Sequence, residues 1–252
     1  MEWRADPAPY KVFISEIMLQ QTQVPRVMRL FPLFLARFPG FGELANASFA
    51  DILQAWTGLG YNRRARYLQE AACLVRDRHG GVLPREVETL RTLPGVGAAT
   101  AGSIAAFAYN VPAIFIETNI RRVFIHHFFP DRREVHDREI LPLVEQSLDR
   151  ENPREWYWAL MDYGALLARS GDNPNRRSRS YVRQNSFRGS DRQLRGMVLR
   201  HLVDHGSIAA EDIPAYGAAE GFPPVRVEAV LKRLEDEGFL QRTETGAIVL
   251  RR

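Results

Sequence analysis

Two carboxylates in this chain sit in surroundings that would tune them. Glu16 lies within Ser15-Glu16-Ile17-Met18-Leu19-Gln20-Gln21-Thr22-Gln23, a stretch otherwise apolar or amide-bearing. Desolvation beside Ile14, Ile17 and Met18 would raise its pKa and keep it an acid near neutral pH. Glu117 follows the apolar run Ala113-Ile114-Phe115-Ile116 and precedes Arg121-Arg122. A paired acid and anion suit cleavage of an N-glycosidic bond: one protonates the leaving base, the other stabilises an oxocarbenium-like sugar. Each carboxylate also has a plainer reading. Glu117 suits a helix N-terminus, where the dipole favours negative charge, and Glu16 could pair with Arg26 or Lys11. The third feature is Leu93-Pro94-Gly95-Val96-Gly97. Two glycines around one apolar residue make a tight turn into a helix, and its outward N–H groups form an anion site. Such a turn grips a phosphate without reading a base; the alternative is a plain Gly-rich connector.

Helices must carry these groups. Apolar spacing predicts helices over 10–23, 27–38, 41–46, 49–56, 65–78, 87–93, 98–109, 119–129, 137–148 and 153–168. Pro and Gly punctuate them at Phe38-Pro39-Gly40, Gly58-Leu59-Gly60, His79-Gly80-Gly81 and Asn110-Val111-Pro112. No alternating strand is expected before residue 190. Beyond it, Leu194-Val198-Leu199-Leu202, Ile208-Ile213 and Val225-Val227-Val230-Leu231-Leu234 predict three helices, and Thr245-Gly246 a hairpin turn. That is the winged-helix order, whose third helix can enter a major groove or serve a protein partner. Glu235-Asp236-Glu237 argues against deep insertion of that end. The expected fold is mainly α with a small C-terminal α+β module: 1–172 a helical domain, 173–190 an Arg-rich linker, 191–252 the winged-helix-like domain.

Composition narrows the classes. The chain has 252 residues and a net charge of +4, and most of its 34 basic residues are Arg, the residue best shaped for phosphate. Arg176, Arg177, Arg179, Arg183 and Arg188 occur with no acid between Asp172 and Asp191, which reads as a solvated linker or as a strand-facing arm. Cys73 is the one cysteine, so an internal disulfide and a multi-cysteine metal cluster are excluded. No metal site is expected. No apolar run is long enough to span a membrane, and no leader is visible at the N-terminus. A monomer, cytoplasmic or nucleoid-associated, is expected.

A resemblance now joins these residues. Pro9 to Val24, Trp56-Thr57-Gly58-Leu59-Gly60-Tyr61, Leu93 to Gly97 and Met161-Asp162-Tyr163-Gly164-Ala165 together resemble the adenine DNA glycosylases of the MutY type, in order and at about their spacing, over roughly residues 3–170. That family belongs to the helix-hairpin-helix glycosylases, all-α proteins of two helical lobes that bind duplex DNA and flip a base out of it. The resemblance implies that Glu16 protonates the adenine, and that Glu117 fills the place of the catalytic Asp, two residues before a matching Asn119. It implies that Arg4 holds the base and that Gln21 and Tyr61 wedge into the stack. Leu93, Gly95, Val96 and Gly97 would grip phosphate. Ala99 stands where bifunctional relatives carry a Schiff-base Lys, which implies hydrolysis without a lyase step.

The chain departs from the family pattern in four places. Glu117 adds a methylene to the family's Asp. Ala168, Asn175, Ser178 and Gln184 stand where the family's iron–sulfur cysteines fall, so no cluster is expected. A winged-helix-like tail is expected where the family has its 8-oxoguanine-recognition domain, and the sequence starts just before Trp3-Arg4, where the family has a preceding helix. The expectation is a monofunctional glycosylase acting on adenine opposite 8-oxoguanine or guanine. The alternatives are a thymine or uracil mismatch glycosylase and a DNA-damage-binding protein without catalysis.

Overall fold

The computed structural model describes residues 1–169, 173–184 and 186–251. Its helices are α1 (Glu2–Ala5), α2 (Pro9–Leu19), α3 (Val24–Arg37), α4 (Phe41–Asn46), α5 (Phe49–Trp56), α6 (Arg63–His79), α7 (Val87–Leu90), α8 (Ala98–Tyr109), α9 (Thr118–Phe128), α10 (Asp137–Ser147), α11 (Pro153–Arg169), α12 (Asp191–His205) and α13 (Pro224–Asp236). The strands are β1 (Ser207–Ile208), β2 (Leu240–Arg242) and β3 (Ile248–Leu250). Among the described residues no strand precedes β1; one isolated bridge joins Val135 to Ser178.

Local chemistry explains the element ends. Ser48 caps α5 by accepting from the Asp51 amide, and Asn110 closes α8 in the left-handed region. Helix α2 stops at Leu19 instead of running to Gln23, because Gln21 takes a φ of 54°, which no right-handed helix contains. Helix α3 starts at Val24, earlier than its apolar spacing implies, with Pro25 in its first turn where a missing N–H costs nothing. Helix α7 ends at Leu90, which leaves Leu93 in the turn. The short α1 has no counterpart in the expected elements.

The chain forms two compact units. The first holds residues 1–20 and 77–183. Its core is built by Phe107, Phe115, Ile120, Phe124, Ile140 and Tyr157. Two glycines let its helices close. A Cβ on Gly164 of α11 would meet the Asn119 carbonyl oxygen at 2.4 Å, and one on Gly102 of α8 would meet the Phe115 Cβ at 2.6 Å. Tyr157 donates its hydroxyl to the Ala113 carbonyl at 2.7 Å, fixing the extended stretch that leads to Glu117. The Arg-rich stretch is tied in as far as Arg183. Pro174–Arg177 is a 3-10 turn, Val135 N donates to Arg177 O at 2.8 Å, and Arg179 N donates back to Val135 O at 3.0 Å.

The second unit joins residues 21–76 to 184–251. Phe31, Phe34 and Trp56 fill the helical part. The C-terminal part has the winged-helix order, with 3-10 turns at Ala210–Ala215 and Ala218–Glu220 in place of a second α-helix, and an antiparallel sheet ordered β1-β3-β2. The two parts are bonded through aromatic and ionic contacts. The rings of Phe49 and Phe239 meet edge-on at 5.5 Å, the Arg66 guanidinium covers both and donates to the Gly238 carbonyl, and Glu237 takes Arg63 and Arg195 at 2.6 Å each.

Candidate active site

Helix α2 presents Glu16 between the buried side chains of Ile14, Ile17 and Met18. Burial pushes the Glu16 carboxyl up to about 7; the Ser103 hydroxyl pulls against that rise, the negative charge of Glu117 adds to it and Arg4 opposes it. Ser103 Oγ lies 2.5 Å from Glu16 Oε2 and 3.0 Å from the Thr100 carbonyl oxygen. A hydroxyl has one hydrogen and two lone pairs. It can donate to an ionised Glu16, or accept from a protonated one while donating to Thr100. The ion-pair reading of Glu16 with Lys11 does not survive, since Lys11 pairs with Asp6 at 2.8 Å.

Glu117 is half-buried and is the N-cap of α9. Its Oε1 accepts from the Asn119 and Ile120 amides at 2.7 and 2.8 Å. Oε2 takes only the Asn119 side-chain amide, at 3.3 Å. The extra methylene relative to Asp is absorbed by folding the side chain back onto its own helix. Burial raises the Glu117 carboxyl, while the two amides and the charges of Arg121 and Arg122 favour the anion. One oxygen is thus committed to the helix and the other is the more available for chemistry. The plainer capping role is therefore present in the structure.

Asn119 is held by Arg122, which the sequence reading passed over. Arg122 is 7% exposed. Its Nη1 donates to Asn119 Oδ1 at 2.7 Å and to the Gly164 carbonyl at 2.6 Å. Because Oδ1 receives a donor, Nδ2 must face Glu117. Arg121 forms a two-pronged pair with Asp137, both bonds 2.7 Å. Gly164 of the Met161-to-Ala165 motif explains itself here: only a residue without Cβ lets α11 lie against the Asn119 backbone. Spacing offered a signal for Arg122, since it lies three residues after Asn119 on one helix face. Ser103 had a similar one, as a lone hydroxyl inside the apolar Ala101-to-Ala108 run.

Arg4 stacks over Trp158 at 5.4 Å and donates to Asp162 at 2.8 Å. In the turn from 93 to 97, Leu93 and Val96 are buried pegs, and Gly95 has a φ of 78°. Gly97, Ala98 and Ala99 are exposed at the start of α8, whose first amides have no partner within the helix. Gln20 donates to the Gly95 carbonyl at 3.1 Å and to Thr100 Oγ1 at 3.2 Å, fastening the turn to the end of α2. The first unit therefore carries Arg4, Glu16, Glu117, Asn119 and the 93–97 turn. Gln21 and Tyr61 belong to the second unit. Both hold positive φ, 54° and 49°, as few residues other than glycine do.

The residues that the resemblance sets at the family's cluster positions do not fit an iron–sulfur centre. Ala168, Asn175, Ser178 and Gln184 offer no thiolate. Asn175 is buried and donates to the Thr118 carbonyl at 2.9 Å, and the Ser178 hydroxyl oxygen receives the Ser180 amide at 3.1 Å. The Asn175 side-chain amide thus bonds the start of α9, while its oxygen is buried without a partner among the described residues.

Residues 14–146 match the HhH-GPD superfamily base excision DNA repair protein family. The chain is 34% identical over 235 residues to an adenine DNA glycosylase of Mycobacterium tuberculosis, covering 79% of this chain and 72% of the relative. It is 31% identical to that of Mycolicibacterium smegmatis, covering 99% and 90%. The human adenine DNA glycosylase is 37% identical over 66% of this chain and 31% of its own length. Among solved structures, a thermostable thymine-DNA glycosylase superposes with a TM-score of 0.61 at 24% identity, covering 69% of this chain and 82% of the other. A trapped endonuclease III–DNA covalent intermediate gives a TM-score of 0.58 at 20% identity, covering 66% and 78%. The chain belongs to the HhH-GPD superfamily of base excision DNA repair proteins, and within it to the adenine DNA glycosylases.

Proposed function

We propose that this DNA glycosylase removes adenine opposite 8-oxoguanine or guanine by hydrolysis alone. The observation that carries the reading is the split between two carboxylates of one unit. Burial holds Glu16 as an acid up to about 7, and the negative charge of Glu117 adds to that rise; burial raises Glu117 as well, but the Asn119 and Ile120 amides and the charges of Arg121 and Arg122 favour its anion. With a base flipped out of the duplex, Glu16 gives its proton to the leaving adenine and Glu117 faces the positive charge that grows on the sugar. Glu117 Oε2, less occupied than Oε1, is the oxygen suited to that charge or to orienting the attacking water. Arg122 acts through Asn119 and keeps that oxygen in place.

The 93–97 turn and the open start of α8 hold a phosphate of the flipped strand. Ala99 has no amine, so no imine with the sugar forms there and the product is an intact strand with an abasic site. The protein works without an iron–sulfur cluster, as a monomer on duplex DNA, in the cytoplasm or nucleoid. No helix among the described residues is long and apolar enough to cross a membrane.

The test is direct. Duplexes carrying A:8-oxoG, A:G, T:G and U:G are incubated with the protein and abasic sites are then opened with hot alkali. Breaks only at A support the proposal, and breaks at T or U transfer the chemistry to a pyrimidine. Retained binding with no breaks in any duplex removes the enzymatic reading. Glu16→Gln should abolish release; activity that survives it removes the mechanism.

A further inference from the structure

The tail of this chain reaches the residue that the family resemblance assigns to the wedge. Tyr61 ends the turn Gly58-Leu59-Gly60, whose glycines have φ of 94° and 71°. Its own φ of 49° is costly for a bulky side chain and persists only where neighbours hold it. Arg64 does so from one side. It is 8% exposed, lies over Trp56 at 5.3 Å and Tyr61 at 5.5 Å, and donates to Thr22 Oγ1, Leu59 O and Gly60 O at 2.9, 3.2 and 3.1 Å. Arg192, in the first turn of α12, does so from the C-terminal part. Its Nη1 donates to Tyr61 Oη at 2.8 Å, with the guanidinium 5.8 Å from the ring centroid.

The base of that arm is itself braced. Ser190 caps α12, and Asp191 takes both Arg226 and Arg233 of α13, at 2.7 and 3.0 Å. Two of the three basic side chains of α13, the helix that could enter a groove or serve a protein partner, are thereby committed inside the module. The Asp191 pairs thus tie α13 to the first turn of α12, beside Arg192.

We propose that Arg192 is a positioning residue for Tyr61, so that the winged-helix-like module serves as a brace for the stack-entering side chain. The proposal rests on the reading of Tyr61 as a wedge. A hydrogen bond from a charged donor fixes ring orientation more firmly than a neutral one, and an aromatic already oriented loses less freedom on entering a base stack.

The experiment uses the full chain, with 2-aminopurine next to the target adenine as a reporter of unstacking, and single-turnover base release measured in parallel. Arg192→Ala and Tyr61→Phe each delete the same hydrogen bond. Each should reduce the fluorescence change and slow release by about tenfold, which is about 1.4 kcal/mol. The double variant should be no worse than either single one, as coupled partners require. Arg192→Lys, which can still donate, should recover part of the loss, and the melting temperature should stay within a few degrees. Additive losses, or wild-type behaviour of Arg192→Ala while Tyr61→Ala is impaired, overturn the brace. Tyr61→Ala with full unstacking and full release overturns the wedge reading beneath it. Faster unstacking in Arg192→Ala would make the contact a restraint and overturn the proposal.

Discussion

Ser103→Ala isolates the hydroxyl that faces Glu16, the proposed acid, and its effect can be worked from the geometry. Ser103 Oγ lies 2.5 Å from Glu16 Oε2. When Glu16 is ionised, the hydroxyl donates to a carboxylate; when Glu16 is neutral, it accepts from the acid and turns its own hydrogen to Thr100. Hydrogen bonds to charged groups contribute roughly 1.5–3 kcal/mol and neutral ones about 0.5–1.5. Removing the hydroxyl therefore costs the anion about 1 kcal/mol more than it costs the acid, which is roughly 0.7 of a pH unit. The sign is upward, in line with the downward pull of Ser103 on Glu16. If Glu16 serves as the proposed acid, base release by the natural protein should fall as pH rises through about 7. In Ser103→Ala that alkaline limb should move up by roughly 0.7 of a pH unit, with a lower plateau because the carboxyl has lost an orienting partner. Single-turnover release of adenine, followed from mildly acidic to mildly alkaline pH, measures both. A limb that stays put or moves toward acid would show that Ser103 does not serve the ionised form, and would refute the reasoning.

Three further outcomes are expected. Glu117→Gln keeps an amide oxygen able to cap α9, so unfolding by denaturant should change by less than about 1 kcal/mol. Its rate of base release should nevertheless fall on the order of a hundredfold or more, the scale seen when a stabilising group is lost from a transition state. Gly164→Ala places a methyl 2.4 Å from the Asn119 carbonyl oxygen, and should cost about 1–3 kcal/mol of stability and slow release through displaced Asn119; an unaltered denaturation midpoint would contradict the close-approach argument. The purified protein should lack the visible absorbance of an iron–sulfur cluster, and borohydride should trap no covalent adduct with DNA. A brown preparation or a trapped adduct would count against a cluster-free, hydrolytic enzyme.

Much of the fold was legible because its signals are local. Helices α4, α5 and α8 run over the expected residues, bounded by Gly40, Ser48, Gly97 and Asn110, residue types whose end-preferences are intrinsic. The end of α2 was not legible. Gln21 in the left-handed region reflects what surrounds it, and glutamine has no intrinsic preference for that conformation. In the site, Glu16 and Glu117 stood out as acids against apolar sequence. Their partners did not, because Ser103 is 87 residues from Glu16 and Arg192 is 131 from Tyr61. Periodicity reports which face a helix buries; it does not report which side chain from another helix comes to meet it. Glu117 was legible as a helix cap and as an acidic residue in apolar sequence; the structure shows the cap, with Oε1 taking the Asn119 and Ile120 amides.

The division of the chain has a consequence for how the protein is made. The second unit is assembled from residues 21–76 and 184–251, so residues 77–183 are synthesised between its early part and its late part. Throughout that interval Phe49 and Arg66 lack Phe239 and Gly238, the groups they meet in the finished molecule. The lobe that carries Gln21 and Tyr61 is thus completed last, after the residues of the acid-bearing unit have all been synthesised. An expression clone stopped before α12 would deliver this half-finished lobe with an uncovered aromatic face. Poor solubility of such a clone would report a missing half of a core, and would say nothing about whether the module touches DNA.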